Sequence, residues 1–156
     1  MKNRINFKSA VISGIAATAL MTIFTFMAPL MGIKMNIPEM LASTMGLPIL
    51  FGWLAHFMVG IILAIFFAGI YLPLTKSESS LKSGAIFSIF PWLMAQIIVM
   101  PMMSALNGMG FIAGLFSGSV ILAMASLMGH LVYGVVLGKI YKSEKEKVLV
   151  ARTATR

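Results

Sequence analysis

Eleven of the twelve Lys and Arg residues fall on one side of four long apolar stretches. That division constrains the fold more than any other feature. Lys2, Arg4 and Lys8 precede the first stretch. Lys76 and Lys82 lie between the second and third, and Lys139, Lys142, Lys145, Lys147, Arg152 and Arg156 close or follow the fourth. Lys34 stands alone on the other side. Loops on the cytoplasmic face of a membrane carry the excess of Lys and Arg. The pattern predicts four transmembrane passages with both termini in the cytoplasm.

Composition agrees. Hydrophobic residues make up 60% of the chain and charged residues 10%, whereas a soluble domain carries about 25% charged residues. The predicted spans are Ser9 to Met31, Leu50 to Tyr71, Ser83 to Met103 and Ser119 to Tyr141. Each is near the ~20 residues that a helix needs to cross the hydrocarbon core. Helices are required, because lipid offers no partner to an unpaired backbone group. The first run, Ser9 to Ile33, is longer than the roughly 7–15 residues of a signal-peptide core, so it reads as a retained span. The expected fold is all-α: a polytopic four-helix bundle over residues 1–147, with a disordered cytoplasmic tail over 148–156. The formal charge of +8 does not point to nucleic acid. The basic residues cluster at span ends, where anionic headgroups on the inner face are the expected partner.

One loop carries its own structure. Asn36-Ile37-Pro38-Glu39 places an N-cap Asn, an early Pro and an acid three residues on. Gly46 is a natural stop and Pro48 bars continuation. A short surface helix is predicted from Ile37 to Met45, with Met40, Leu41 and Met45 dipping toward lipid or the bundle. A weak internal repeat pairs Ser13-Gly14 with Ser83-Gly84 and Ile70-Tyr71 with Ile140-Tyr141, both at an offset of 70.

Small residues recur every four positions. Gly110, Gly114 and Gly118 lead into Ser126, His130, Gly134 and Gly138. Span two carries Gly52, His56, Gly60, Ala64 and Ala68, and span one Gly14, Thr18, Thr22, Thr25 and Pro29. Such faces let helix backbones approach closely. They could equally line a polar cavity.

Five side chains are candidates for a ligand site: His56, His130, Gln96, Trp92 and Thr22. An ionisable group inside a membrane is costly, which singles out the two His. Two His on separate helices suggest axial ligands of a b-type haem. Against that, His56 lies fifteen residues before Tyr71 and His130 eleven before Tyr141, a depth difference of about 6 Å. No Arg is placed to hold propionates. Gln96 follows Pro91 and Trp92 on a helix expected to bend, and it lies at a depth where it could bond His130. Nine of the fifteen Met residues gather on the outer side. Met27, Met31, Met35 and Met102 form a possible copper set, since thioethers suit Cu(I). Methionine also fills irregular apolar gaps without any metal. No Cys or Asp occurs, and no Glu lies within a span. No nucleophile–base pattern appears, so neither an enzyme nor a cofactor is expected. The first expectation is a protein acting through helix packing, as a homo-oligomer or with another membrane protein. The alternative is a ligand binder or carrier.

The runs Met27-Ala28-Pro29-Leu30-Met31-Gly32-Ile33-Lys34-Met35-Asn36-Ile37-Pro38-Glu39, Gly52-Trp53-Leu54-Ala55-His56-Phe57-Met58-Val59-Gly60 and Met128-Gly129-His130-Leu131-Val132-Tyr133-Gly134 resemble a family of small bacterial four-helix membrane proteins of unknown function. The resemblance implies a bacterial inner-membrane protein and carries no activity with it.

Topology is open to a direct measurement. The chain has no native Cys, so single cysteines at Asn36 and Ser79 report sidedness. A membrane-impermeant thiol reagent applied to intact cells should label Asn36→Cys and spare Ser79→Cys. The reverse pattern would invert the orientation.

Overall fold

A computed structural model of the protein describes residues 5–33 and 35–144, apart from the side chain of Met31. Among these residues the structure is helical throughout, with no strand. Helix α1 (Phe7–Thr25) passes into a 3-10 turn, Ala28–Met31, and the first span covers Phe7–Leu30. The short α2 (Ile37–Met45) follows. The other spans are α3 (Ile49–Thr75), α4 (Leu81–Leu106) and α5 (Val120–Ile140). All four are long and apolar enough to cross a membrane. Their lipid-type surface is plain on α5, where Ile121, Met124, Met128 and Val135 are exposed in a stripe. Lys8, Lys76, Lys82, Lys139 and Lys142 lie at one end of the bundle, here called the basic end. The tail 148–156 lies outside the described residues, as do Lys2, Arg4, Lys34 and the cations beyond Lys142.

The four spans form a square. Span α1 packs between α3 and α5, and α5 packs between α1 and α4. Spans α3 and α4 close on each other at the basic end. There Phe87 lies 5.2 Å from Phe67 and 5.3 Å from Tyr71, centroid to centroid, and Tyr141 meets Phe67 at 6.1 Å. Tyr141 closes the fourth span, where an aromatic residue commonly anchors at the membrane interface. It is instead buried, and its hydroxyl accepts the Asn6 backbone N–H at 3.3 Å. The ring belongs to the core because α5 ends against the start of α1, where the Lys142 N–H also donates to Ser9 Oγ.

Backbone proximity holds the helix pairs. A Cβ built on Gly14 would lie 2.9 Å from Ala64 Cβ and 3.0 Å from Ile61 Cα. On the other pair, a Cβ on Gly84 would overlap the Gly134 carbonyl, and one on Gly138 the Ser80 carbonyl. Thr18 fills the space over Gly60 as Ser88 does over Gly134. The weak sequence repeat thus has a structural counterpart. Gly14 and Thr18 meet α3 as Gly84 and Ser88, 70 positions later, meet α5.

Helix α2 occupies the range expected from its caps. Asn36 Oδ1 accepts the Glu39 N–H at 3.2 Å, Asn36 Nδ2 donates to Glu39 Oε2 at 2.9 Å, and Gly46 ends the helix at φ 64°. Its packing face differs from the expected one. Pro38 and Ala42 are buried against Gly52 of α3, while Met40 and Leu41 are only half-buried and Met45 is exposed. The bare Gly52 backbone accepts small residues and leaves no room for Met.

Two spans contain a widened turn just before a proline. The Leu72 N–H reaches back five residues to Phe67, ahead of Pro73, and the Met100 N–H does so to Ala95, ahead of Pro101. Proline lacks an N–H and crowds the preceding turn. Inserting one extra residue into that turn absorbs the mismatch. On α4 the helix runs through Pro91, and the widened turn follows it at Ala95–Val99.

The glycine run before α5 is not part of a helix. Ile112–Gly118 is a 3-10 segment broken by extended Leu115, and Gly110 and Gly118 adopt φ of 84° and 68°. Only Gly114 makes a close approach, with Met100, Pro101 and Ser104 of α4.

Replacing Gly134 by Leu should therefore destabilise the bundle by more than about 2 kcal/mol, as overpacking does. Ile121→Leu, on the exposed face, should be nearly neutral. Thermal aggregation of the two purified variants makes the comparison, and equal stability would remove the close approach of α4 and α5 from the account.

Candidate functional site

Polar side chains inside the bundle form two hydrogen-bonded groups. The first begins on α1. Thr18, Thr22 and Thr25 are buried, and each hydroxyl donates to a carbonyl one turn back: Thr18 to Gly14 at 2.8 Å, Thr22 to Thr18 at 2.7 Å, Thr25 to Thr22 at 3.0 Å. Such back-bonding satisfies a hydroxyl that has no water. Thr22 Oγ1 also meets His56 Nε2 at 2.9 Å. His56, on α3, is 8% exposed.

The second group joins α4, α5 and the segment between them. Gln96 sits inside the widened turn of α4 and is 1% exposed. Its Nε2 donates to Ser126 Oγ at 3.2 Å, and its Oε1 accepts from Ser117 Oγ at 2.7 Å. Ser117 and its neighbour Phe116 have φ of 59° and 50°. A residue forced into the left-handed region costs roughly 1–3 kcal/mol, and here it brings the Ser117 hydroxyl onto Gln96. His130 Nδ1 lies 2.8 Å from the Ser126 carbonyl. Trp92 Nε1 donates to the Ala123 carbonyl at 3.0 Å.

Gln96 and His130 were expected to bond directly. They meet through Ser126, which touches both. The two groups approach where Thr25 packs over Gly129, beside His130. The Tyr133 hydroxyl crosses the square from α5 and donates to the Gly60 carbonyl of α3. Sequence reasoning missed Ser117 and Tyr133. Ser117 lies in a glycine-rich run that reads as helix, and Tyr133 looks like one more aromatic in a span.

Accessibility changes along the inward face of α5. Ser126, His130, Tyr133 and Leu137 share that face, opposite Ile121, Met124 and Met128. Leu137 is 0% exposed and Tyr133 2%, yet Ser126 and His130 are only half-buried. The half-buried stretch is short: Ala123, on the far side of Ser126, is again only 3% exposed.

Haem ligation fits one His and not the other. His130 has the arrangement of a ligating imidazole, with Nδ1 held by a carbonyl and Nε2 free of hydrogen bonds among the described residues. At His56 the Nε2 is taken by Thr22. Among the described residues no three His, Cys, Asp or Glu gather as a metal site. The methionine set does not share a face. Helix α1 ends at Thr25, and Pro29 and Gly32, the latter at φ 75°, turn the chain before Met35. Met27 and Met102 are 56% and 50% exposed and ride on diagonal corners of the square. The side chain of Met31 lies outside the described residues.

These features define a four-span, all-α membrane-type protein with a histidine-bearing polar interior. The profile of DUF6789, a family of unknown function, matches residues 5–149, and the chain belongs to that family. No curated protein and no solved structure matches the chain.

The Gln96–Ser126 bond should be measurable. Interhelical hydrogen bonds in membranes contribute about 0.6 kcal/mol on average and up to about 1.7. A double-mutant cycle of Gln96→Leu and Ser126→Ala, read by unfolding in mixed detergent, should give coupling in that range. Additive effects would mean the two side chains act independently.

Proposed function

We propose that this protein is a non-enzymatic, multi-pass binder of a small ligand held beside Ser126 and His130 of α5. One observation carries the reading. The inward face of α5 is half-buried at Ser126 and His130 and buried on either side, at Ala123 and at Tyr133 and Leu137. A bundle built only for packing has no reason to leave ionisable and hydroxyl groups accessible in its interior, where each costs desolvation. The small-residue faces that first suggested self-association pack within the chain: Gly14 against Ala64, Gly84 against Gly134. They give an oligomer no particular support. The basic end supports a bacterial inner-membrane orientation with the termini in the cytoplasm.

Cysteine accessibility along this face tests the reading. In a chain without native Cys, Ser126→Cys should react with a small water-soluble thiol reagent in purified, reconstituted protein. Leu137→Cys should be protected at least tenfold. Equal protection at both positions would defeat the proposal.

A further inference from the structure

We infer that the cavity at the basic end, between the end of α3 and the start of α4, seats a phospholipid whose headgroup carries both a phosphate and a primary ammonium. The phosphate meets Lys82 and the ammonium meets Glu78. This site is separate from Ser126 and His130 and does not rest on the binding reading above.

The cavity measures about 550 Å³ and is lined by Tyr71, Ser77, Glu78, Lys82 and Ile86 among others. Small-molecule sites run to about 300–1,000 Å³, so the volume suits a headgroup. Its walls are fixed by contacts elsewhere. The Tyr71 ring is held by Phe67 at 5.7 Å and Phe87 at 5.3 Å, centroid to centroid. Ser79 Oγ donates to the Gly138 carbonyl of α5 at 2.9 Å, and Ser83 Oγ to the Glu78 carbonyl at 2.9 Å. Ser80 and Ser83 cap α4 reciprocally. A site shaped in advance loses less to ordering when it is filled.

The lining carries one charge of each sign. Glu78 and Lys82 are exposed, and neither side chain makes an ion pair or hydrogen bond among the described residues. They line one cavity, on either side of the Ser80 cap, without closing on each other.

The groups also follow the order of a phospholipid. Ile86 lies one turn inside Lys82, about 6 Å along the helix axis, and Phe90 lies one turn further. Both are exposed, at 49% and 62%. Glu78 precedes the helix, on the water side of Lys82. From the hydrocarbon outward the surface offers apolar side chains, a cation and an acid. A phospholipid with a terminal amine presents acyl chain, phosphate and ammonium in that order. A headgroup without an amine leaves Glu78 beside a phosphate. A choline headgroup has no N–H to donate to the carboxylate. A free phosphate uses neither Glu78 nor the apolar surface.

Native mass spectrometry of the full chain, released from detergent, tests the assignment with four probes. Three are phosphatidylethanolamine, phosphatidylglycerol and phosphatidylcholine with the same acyl chains. The fourth is glycerophosphoethanolamine, which has no chains. The ethanolamine lipid should bind about tenfold more tightly than the choline lipid, the scale of one charge-assisted hydrogen bond. Glu78→Gln should remove that margin without weakening the glycerol lipid. Lys82→Gln should weaken all three lipids, whereas Lys139→Gln, exposed at the same end but outside the cavity, should change none. The comparison of lipids on the native chain needs no variant. Tighter binding of the glycerol lipid than of the ethanolamine lipid would overturn the amine requirement, as would a margin that survives Glu78→Gln. Equal binding of all three lipids, or an equal loss with Lys139→Gln and Lys82→Gln, would leave general attraction to the basic end and no site. Glycerophosphoethanolamine binding as tightly as the intact lipid would overturn the lipid as occupant.

Discussion

Close approach of helix backbones is the constraint on which the rest depends. In lipid there is no hydrophobic drive to bring one apolar helix to another, so packing and interhelical bonds must supply it. Gly14 lets α1 settle on Ala64 and Gly60 of α3, and Gly84 lets α4 settle on Gly134 and Gly138 of α5. Each contact sits at the same register in its hairpin. Once both hairpins are formed this tightly, α1 and α5 are left to join them, and the polar residues they carry are committed to the interior.

That commitment explains why the interior is polar without being unsatisfied. Among the described residues, no fully buried side-chain nitrogen or oxygen lacks a hydrogen-bond partner. The threonines of α1 bond their own backbone, which costs the bundle no partner elsewhere and still leaves the Thr22 oxygen free to accept from His56. Gln96 depends on more distant structure. Its placement needs the widened turn before Pro101, and its oxygen needs a backbone turn at Phe116 and Ser117 that helices do not use.

The sequence made the spans, their order and the cap-to-cap extent of α2 legible, because hydropathy, proline and cap chemistry act locally. It also marked His56, His130 and Gln96, since polar atoms stand out against lipid. It could not show that Gly110, Gly114 and Gly118 lie in a broken turn, because four-residue spacing reads alike in a helix and in a strained loop. It could not place Ser126 between Gln96 and His130, because depth along a helix does not give rotation about it. The spacing of Met27, Met31 and Met35 misleads for a similar reason. Spacing of four suggests one face only while the helix lasts, and α1 stops at Thr25.

The two ends of the bundle are built differently, and the difference has a direction. At the basic end Phe67, Tyr71, Phe87 and Tyr141 interlock, and Leu137 and Tyr133 complete the seal. Toward the far end the same helices carry the Gln96–Ser126–His130 group, and the short α2 sits on α3 through Pro38 and Ala42 and reaches Asn107, just past α4, by one bond at Thr44, 3.1 Å long. Aromatic packing is stiff and excludes water, whereas a one-bond link at an exposed position opens at little cost. The spans hold no carboxylate, so the polar contacts that join them are hydrogen bonds and not ion pairs.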